Sequence, residues 1–158
     1  MRKELTAESI HIRIGTLGDT EFLANSARCM LIETEGREIP SDQVRAGVQK
    51  ILNATDRGFY IVAAHEAVFI GSLLVTPFWI DLANGAIWWL SCIYVLPEYR
   101  GKNAYRLMYA YVKEIAAKGE DVRGFRLCVH PGNTAACRAY EHLGMAQLPY
   151  RMYQELPG

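Results

Sequence analysis

The sequence predicts an α/β domain built on a mixed β-sheet, and three observations predict it. The hydrophobic period switches twice along the chain, from helical spacing over residues 23–52 to short apolar and alternating runs over 59–95, and back to helical spacing from residue 104. A nearly all-apolar stretch, Ala86 to Val95 (AIWWLSCIYV), reads as a strand covered on both faces, as in the middle of a layered sheet. The chain has 158 residues, of which 51% are hydrophobic and 22% charged. A chain of that size buries roughly two-thirds of its unfolded surface and needs no disulfide or metal to fold.

Each element follows from local chemistry. Ile10 to Ile14 (IHIRI) alternates apolar and polar residues, which makes a short strand. Asp19 or Thr20 is placed to cap a helix whose apolar positions are Leu23, Ala27, Met30 and Leu31, ending near residue 34. The stretch from Gly36 to Pro40 breaks it. Ser41 or Asp42 then caps a second helix with Val44, Val48, Ile51 and Leu52 on its apolar face. Phe59 to Ala64 and Val68 to Thr76 read as a hairpin, with His65 and Glu66 exposed in its tight turn. Asp81 to Gly85 is a second turn, leading into the 86–95 strand.

Pro97 to Arg100 ends that strand. Ala104, Leu107, Met108, Tyr111, Val112, Ile115 and Ala116 then recur at steps of three and one, the mark of an amphipathic helix, closed by Gly119. Phe125 to Val129 is a further strand. Asn133 opens a helix that Gly144 is placed to stop, and Tyr150 to Glu155 is expected to form a last strand. There are no repeats and no linker.

Composition narrows the partners. Seventeen Lys and Arg balance seventeen Asp and Glu, which gives no support to nucleic-acid binding. No apolar run approaches the ~18 residues that span a bilayer. The start, Met1 to Thr6, lacks the apolar stretch of a signal peptide, so a cytoplasmic location is expected. Cys29, Cys92, Cys128 and Cys137 lie at no metal-ligand spacing and are expected to be buried, reduced thiols; no metal is implied.

Two stretches carry chemistry. In the first, Tyr94 to Arg106 (YVLPEYRGKNAYR), an apolar strand ends, a short loop with Arg100, Gly101 and Lys102 follows, and an amphipathic helix begins. Such a junction gathers unpaired backbone N–H groups at the positive end of a helix dipole, a ready site for a phosphate or pyrophosphate. It is neither a Walker loop nor a dinucleotide fingerprint. The plain alternative is a strand-to-helix turn with solvated cations.

In the second, His130 to Met145, Asn133 is a good N-cap and Ala136 and Tyr140 follow at helical spacing, so all three share one face. The rise from Asn133 to Tyr140 is about 10 Å, room for an extended ligand past the small Ala136. The plain alternative is a cap and a core tyrosine.

In this order the two stretches resemble the GNAT superfamily of acyl-CoA-dependent N-acyltransferases. Pro97 to Lys102 looks like that family's acyl-CoA loop, and Asn133 through Met145 looks like its second signature, N-x-x-A-x-x-x-Y-x-x-x-G-[FM]. The resemblance implies an α+β, GNAT-type three-layer fold over residues 1–158 as a single domain. Its central sheet would be mixed and mostly antiparallel, with six to seven strands flanked by four helices. One departure stands out. With Arg100 as the loop's first position, Asn103 and Tyr105 occupy places where the family has small residues, usually Gly and then Gly or Ala. Asn103 tolerates a left-handed backbone, and Tyr105 either points into the core or narrows the pyrophosphate site.

The resemblance also implies roles. Ile93, Tyr94 and Val95 would lend backbone groups to the pantetheine arm of acetyl-CoA, with one N–H facing the thioester carbonyl. Arg100, Gly101, Lys102, Asn103, Ala104 and Tyr105 would hold the pyrophosphate, with Asn133 and Ala136 also on the cofactor. Tyr140 would serve as general acid toward the departing thiolate. The acceptor would be a primary amine of a small molecule or peptide, attacked directly; a homodimer is common among relatives. The general base is not legible, since Ile87 to Val95 contains no carboxylate. Glu33, Glu35 and Glu38 stand in the region that often lines the acceptor pocket, as does one of Trp88 and Trp89, and Trp88 is the one singled out. Each also reads as a solvated helix end or a core residue. Cys92 and Cys128 are expected to pack rather than act as nucleophiles. His130, close to the second signature, is a weak candidate base. The rival class is a non-catalytic acyl-CoA-binding sensor or regulatory module of the same fold.

Overall fold

Five strands join edge to edge in chain order to make the sheet of the first unit, Met1–Cys128. They are β1 (Ile10–Ile14), β2 (Phe59–His65), β3 (Val68–Ile80), β4 (Gly85–Val95) and β5 (Val122–Leu127). The first three pairings are antiparallel, and β4 with β5 is parallel. The coordinates come from a computed structural model that describes residues 6–158; Met1–Leu5, part of the N-terminal stretch read above for a leader, lie outside the described residues.

Helices cover both faces. On one, α1 (Thr20–Glu35) and α2 (Ser41–Asn53) pack Leu23, Ala24 and Val48 against Tyr60 and Val62 of β2. Alternation sends Ile61 and Leu73, both fully buried, to the other face. There α3 (Ala104–Ala117) brings Met108 and Val112, also fully buried, over β1, β2 and β3. The 3, 1, 3, 1 spacing of α3 is therefore a core stripe.

The helix starts differ from expectation. Asp19 takes the N-cap position of α1, as expected, but its side chain makes no cap hydrogen bond. Its carboxylate, only 3% exposed, accepts from both terminal nitrogens of Arg13 at 2.7 and 2.8 Å and from the Thr16 N–H at 2.7 Å. Arg13 has drawn the cap into an ion pair. Pro40 rather than Ser41 or Asp42 holds the N-cap position of α2, and its carbonyl accepts from Gln43 and Val44. His65 belongs to β2 and is buried, its Nδ1 3.2 Å from the Ser9 carbonyl, where the sequence suggested an exposed turn. The strand after residue 68 runs four residues further than its apolar stretch, because β4 continues to pair with it out to Gly85.

The second unit, Val129–Gly158, contains α4 (Thr134–His142). Gly144, at φ +90°, ends it as expected, with its N–H on the Glu141 carbonyl. The expected strand at Tyr150 to Glu155 is not formed. A strand exists only through a partner's ladder, and no ladder among the described residues includes this segment; Tyr150, Met152 and Tyr153 are all largely exposed. The sheet thus has five strands where six to seven were expected, while the mixed, mostly antiparallel character and the four α-helices are as expected. No helix among the described residues is long and apolar enough to cross a membrane.

Candidate active site

The site begins with a parting of strands. β4 pairs with β5 from Ala86 to Leu90, and the ladder stops there. Beyond Leu90, the remainder of β4 pairs with β3 alone. The register with β3 also shifts, from Leu74 opposite Ser91 to Ser72 opposite Tyr94, so Cys92 and Ile93 together face one residue, Leu73. Cys92 takes φ +48°, the left-handed conformation of a β-bulge. The Leu96 N–H donates to the Ile70 carbonyl at 2.8 Å, so Leu96 and Tyr94 turn their backbone groups toward β3. By alternation Val95 and Ile93 turn theirs away, into the fork.

The loop after β4 completes the arrangement. A single 3-10 turn, Pro97–Tyr99, leads to Gly101 at φ +71° and Asn103 at φ +68°. Asn103 is the N-cap of α3 and adopts the left-handed backbone expected of it. Its side chain makes no cap hydrogen bond. The first N–H groups of α3 have no partner within their own helix and point out of its positive end. Tyr105 is half-buried and stacks on Tyr109, with ring centroids 6.1 Å apart and planes 3° from parallel. The ring lies along α3.

Arg100 and Glu33 meet at the base of this loop. The Arg100 Nη2 donates to Glu33 Oε2 at 2.7 Å, and its Nε donates to the Val95 carbonyl at 2.9 Å. The Tyr94 hydroxyl donates to the other Glu33 oxygen at 3.0 Å, and the Arg100 guanidinium lies 5.4 Å from the Tyr94 ring centre. Burial, then the hydrogen bond to Glu33, pushes the Tyr94 phenol up to about 12. Lys102 turns back on the loop, its Nζ donating to the Glu98 carbonyl at 2.9 Å. This contact pattern joins residues 61 to 67 positions apart, and no local sequence signal encodes it.

In the second unit the Asn133 side chain accepts from the Ala136 N–H at 3.2 Å, the N-cap bond that the residue types predict. His130 braces the preceding turn by accepting the Gly132 N–H on Nδ1 at 3.0 Å. Tyr140 is half-buried, and burial followed by the nearby Cys137 pushes its phenol up to about 12. It therefore stays protonated well above neutral pH, as a proton or hydrogen-bond donor must.

Other residues singled out from the sequence take structural places. Glu35 pairs with the exposed Arg37 at 3.2 Å. Trp88 stands edge-on to Phe59 and to Phe125, within an aromatic cluster that reaches Tyr109 of α3. The cysteines are free but not fully buried; Cys128 is exposed and the other three are partly buried. Burial pushes the Cys92 thiol up, which keeps it protonated at neutral pH. No group of three or more His, Cys, Asp or Glu among the described residues is placed to hold a metal.

A model of the acetyltransferase (GNAT) family matches residues 23–145. A possible acetyltransferase from Clostridium difficile 630 is 32% identical with a TM-score of 0.85, covering 94% of this chain and 97% of that one. A predicted acetyltransferase from Clostridium acetobutylicum, solved with acetyl-CoA, shares the fold at 16% identity and TM-score 0.75, covering 92% of this chain and 96% of that one. The aminoglycoside N-acetyltransferase AAC(6')-Iy, solved with a bisubstrate analog, shares it at 20% identity and TM-score 0.74, covering 94% and 99%. No curated protein matches. The family match takes in the bulged strand, the loop and α4 alike, and the chain belongs to the acetyltransferase (GNAT) family.

Proposed function

We propose that this chain, an acetyl-CoA-dependent acyltransferase by family, moves an acetyl or other short acyl group onto a primary amine of a small molecule or peptide. The amine attacks directly in a ternary complex. The observation that carries the reading is the fork: β4 leaves β5 at Leu90, so Ile93 and Val95 have no ladder partner on that side, and of their groups the Val95 carbonyl is taken by Arg100. The start of α3, whose N-cap Asn103 makes no side-chain cap bond, follows eight residues after Val95.

These features fit acyl-CoA. The fork suits a pantetheine arm, which bonds like an added strand. The turn from Gly101 to Tyr105 suits a pyrophosphate, because two left-handed residues and the α3 start converge N–H groups on one point. The thioester brings an activated acyl group. The chain's part is to orient it, to offer the Ile93 N–H as a donor to charge developing on its carbonyl oxygen, and to supply a proton from Tyr140 to the departing sulfur. A lost backbone donor of this kind costs about 3–4 kcal/mol in the transition state. Asn133 and Ala136 lie on the cofactor in this reading. The AAC(6')-Iy complex, whose analog joins CoA to an acetylneamine, supports an amine as acceptor. In this reading residues 1–158 act as one domain in the cytoplasm, with a homodimer as the assembly and no nucleic-acid or membrane partner.

A thermal-shift titration with acetyl-CoA tests the reading, with ATP and NAD as controls. Ligand at a hundred times its Kd stabilises by about 2.7 kcal/mol, a rise of several degrees in Tm. A rise specific to acetyl-CoA, followed by thiol release with members of an amine panel, is the expected result. No rise at millimolar ligand would remove the enzyme reading. Binding without turnover of any amine would make the chain a sensor.

A further inference from the structure

We infer that Glu33 is a positioning residue for the acyl-CoA loop and acts through Arg100, rather than a contact for the incoming amine. The inference rests on the acyltransferase reading above and concerns the same site. Glu33 lies near the end of α1, in a region where an exposed carboxylate would suit a cationic acceptor. Yet both of its oxygens are engaged, one by the Tyr94 hydroxyl at 3.0 Å and one by Arg100 at 2.7 Å. Its charge is matched at contact distance by a guanidinium that carries no other ion pair among the described residues. A second cation would meet a carboxylate whose charge Arg100 already balances, and so would gain little from it.

Arg100 gives the pairing its consequence. It is the hinge between the 3-10 turn and the left-handed pair Gly101 and Asn103, whose backbone shapes the α3 start. Through Nε and Nη2 it spans the Val95 carbonyl on β4 and Glu33 on α1. Those two neighbouring donors are fixed in one plane, so holding both acceptors fixes the guanidinium's direction. The Tyr94 ring closes a third side. Removing the Glu33 charge leaves Arg100 with one neutral acceptor and a half-exposed stem, and the loop's first residue is no longer pinned. The cost falls on the groups that face the pyrophosphate.

The test measures the Kd of CoA by calorimetry, and kcat and KM for a working amine, in the wild type, Glu33→Gln, Arg100→Gln and the double variant. Glu33→Gln keeps a partner for Tyr94 and removes the charge. We expect CoA to bind about five- to tenfold more weakly to either single variant, the scale of losing a partly exposed charged hydrogen bond. The double variant should lose no more than either single one, because the two residues act as one unit. The amine KM should change less than twofold. A Glu33→Gln variant that binds CoA like wild type, or that raises the amine KM alone, overturns the inference. Additive losses also overturn it, since Glu33 would then act without Arg100. If Glu33→Gln does not fold, Glu33→Asp decides: its shortened carboxylate draws back from Arg100, so CoA affinity unchanged there overturns the inference, and a loss of CoA affinity at unchanged amine KM upholds it. A wild type that does not bind CoA fails separately, and takes the acyltransferase reading with it.

Discussion

Leu90 on β4 lies opposite Leu127 on β5, and this is the last rung the two strands share. Everything chemical in the first unit lies just past it: the left-handed Cys92, the outward groups of Ile93 and Val95, and the turn into α3. Both leucines satisfy the sheet and then release it. Leu90 is 2% exposed, so the fork opens directly from the packed core. Its floor is close-packed, as the proposed aiming of one N–H at one oxygen requires.

The bulge is the first thing to test. Cys92 holds φ +48°, where a side chain branched at Cβ is strained by roughly 1–2 kcal/mol and glycine is not. Cys92→Gly should keep most turnover with a modest loss of stability. Cys92→Val should either flatten the bulge or strain it, turning the Ile93 N–H away, and should lower kcat by tenfold or more at unchanged CoA affinity. Steady-state kinetics beside a CoA titration read both. Equal kcat in the two variants would show that the bulge does not set the donor.

Asn103 carries the same argument in the loop. At φ +68° and ψ 1° it does what the sequence expects of an asparagine standing in for glycine. Asn103→Gly should bind CoA as well as wild type or slightly better. Asn103→Val should lose roughly 1–2 kcal/mol of stability and bind CoA several-fold more weakly. Calorimetric titration of both variants checks it, and a Val variant with wild-type affinity would remove the loop's shape from the argument.

How far these positions were legible depended on the range of the interaction that fixes them. Periodicity found α1, α2 and α3, because a stripe such as Met108 and Val112 of α3 is written within one element, and the cap and stop residues Asn133 and Gly144 marked α4. Residue chemistry found the Asn133 cap and the left-handed Asn103, because both are decisions of a single residue and its neighbours. It missed Arg13 taking Asp19, Tyr94 and Arg100 taking Glu33, and His65 folding inward onto Ser9. The contacts of Glu33 and of His65 span 56 to 67 positions and exist only once the sheet is assembled, whereas Arg13 and Asp19 are six residues apart and were missed because the cap reading did not weigh a nearby arginine as a competing partner. The last expected strand failed for a related reason: alternation marks a segment fit to pair, but pairing needs an edge, and Tyr150 to Glu155 has none among the described residues.

Tyr140 tests the chemistry itself. Burial holds its phenol near 12, so it is protonated throughout the working range and cannot serve as the base that takes the amine's proton. Tyr140→Phe should lower kcat by about 100-fold, the lower end of what proton donation contributes, and leave the Kd of CoA within twofold. The wild-type kcat should show no alkaline limb from this group below about pH 11. Equal losses in kcat and CoA affinity would make it a packing residue. A limb near pH 10 that vanishes in the Phe variant would mean its proton is far more loosely held than the burial argues.

Stability toward acid should trace to Asp19. Arg13's hydrogen bonds, chiefly, hold its carboxyl below the ordinary 3.8, against the opposing effect of burial. A carboxyl with a depressed folded-state pKa stabilises fully above its unfolded value and loses that contribution as pH falls through the folded one. The window therefore starts near pH 4 and lies below it. Asp19→Asn leaves Arg13 without its counter-charge and removes an acceptor from a nearly closed site. Fully buried pairs cost 3–5 kcal/mol to break, but Arg13 is 45% exposed, so about 1–3 kcal/mol is expected, near 5 °C in Tm at pH 7. Melting curves from pH 7 down to pH 2 should show the wild type and Asp19→Asn converging as Asp19 protonates. A gap that stays constant to pH 2 would mean that packing around residue 19, and not its charge, holds the start of α1.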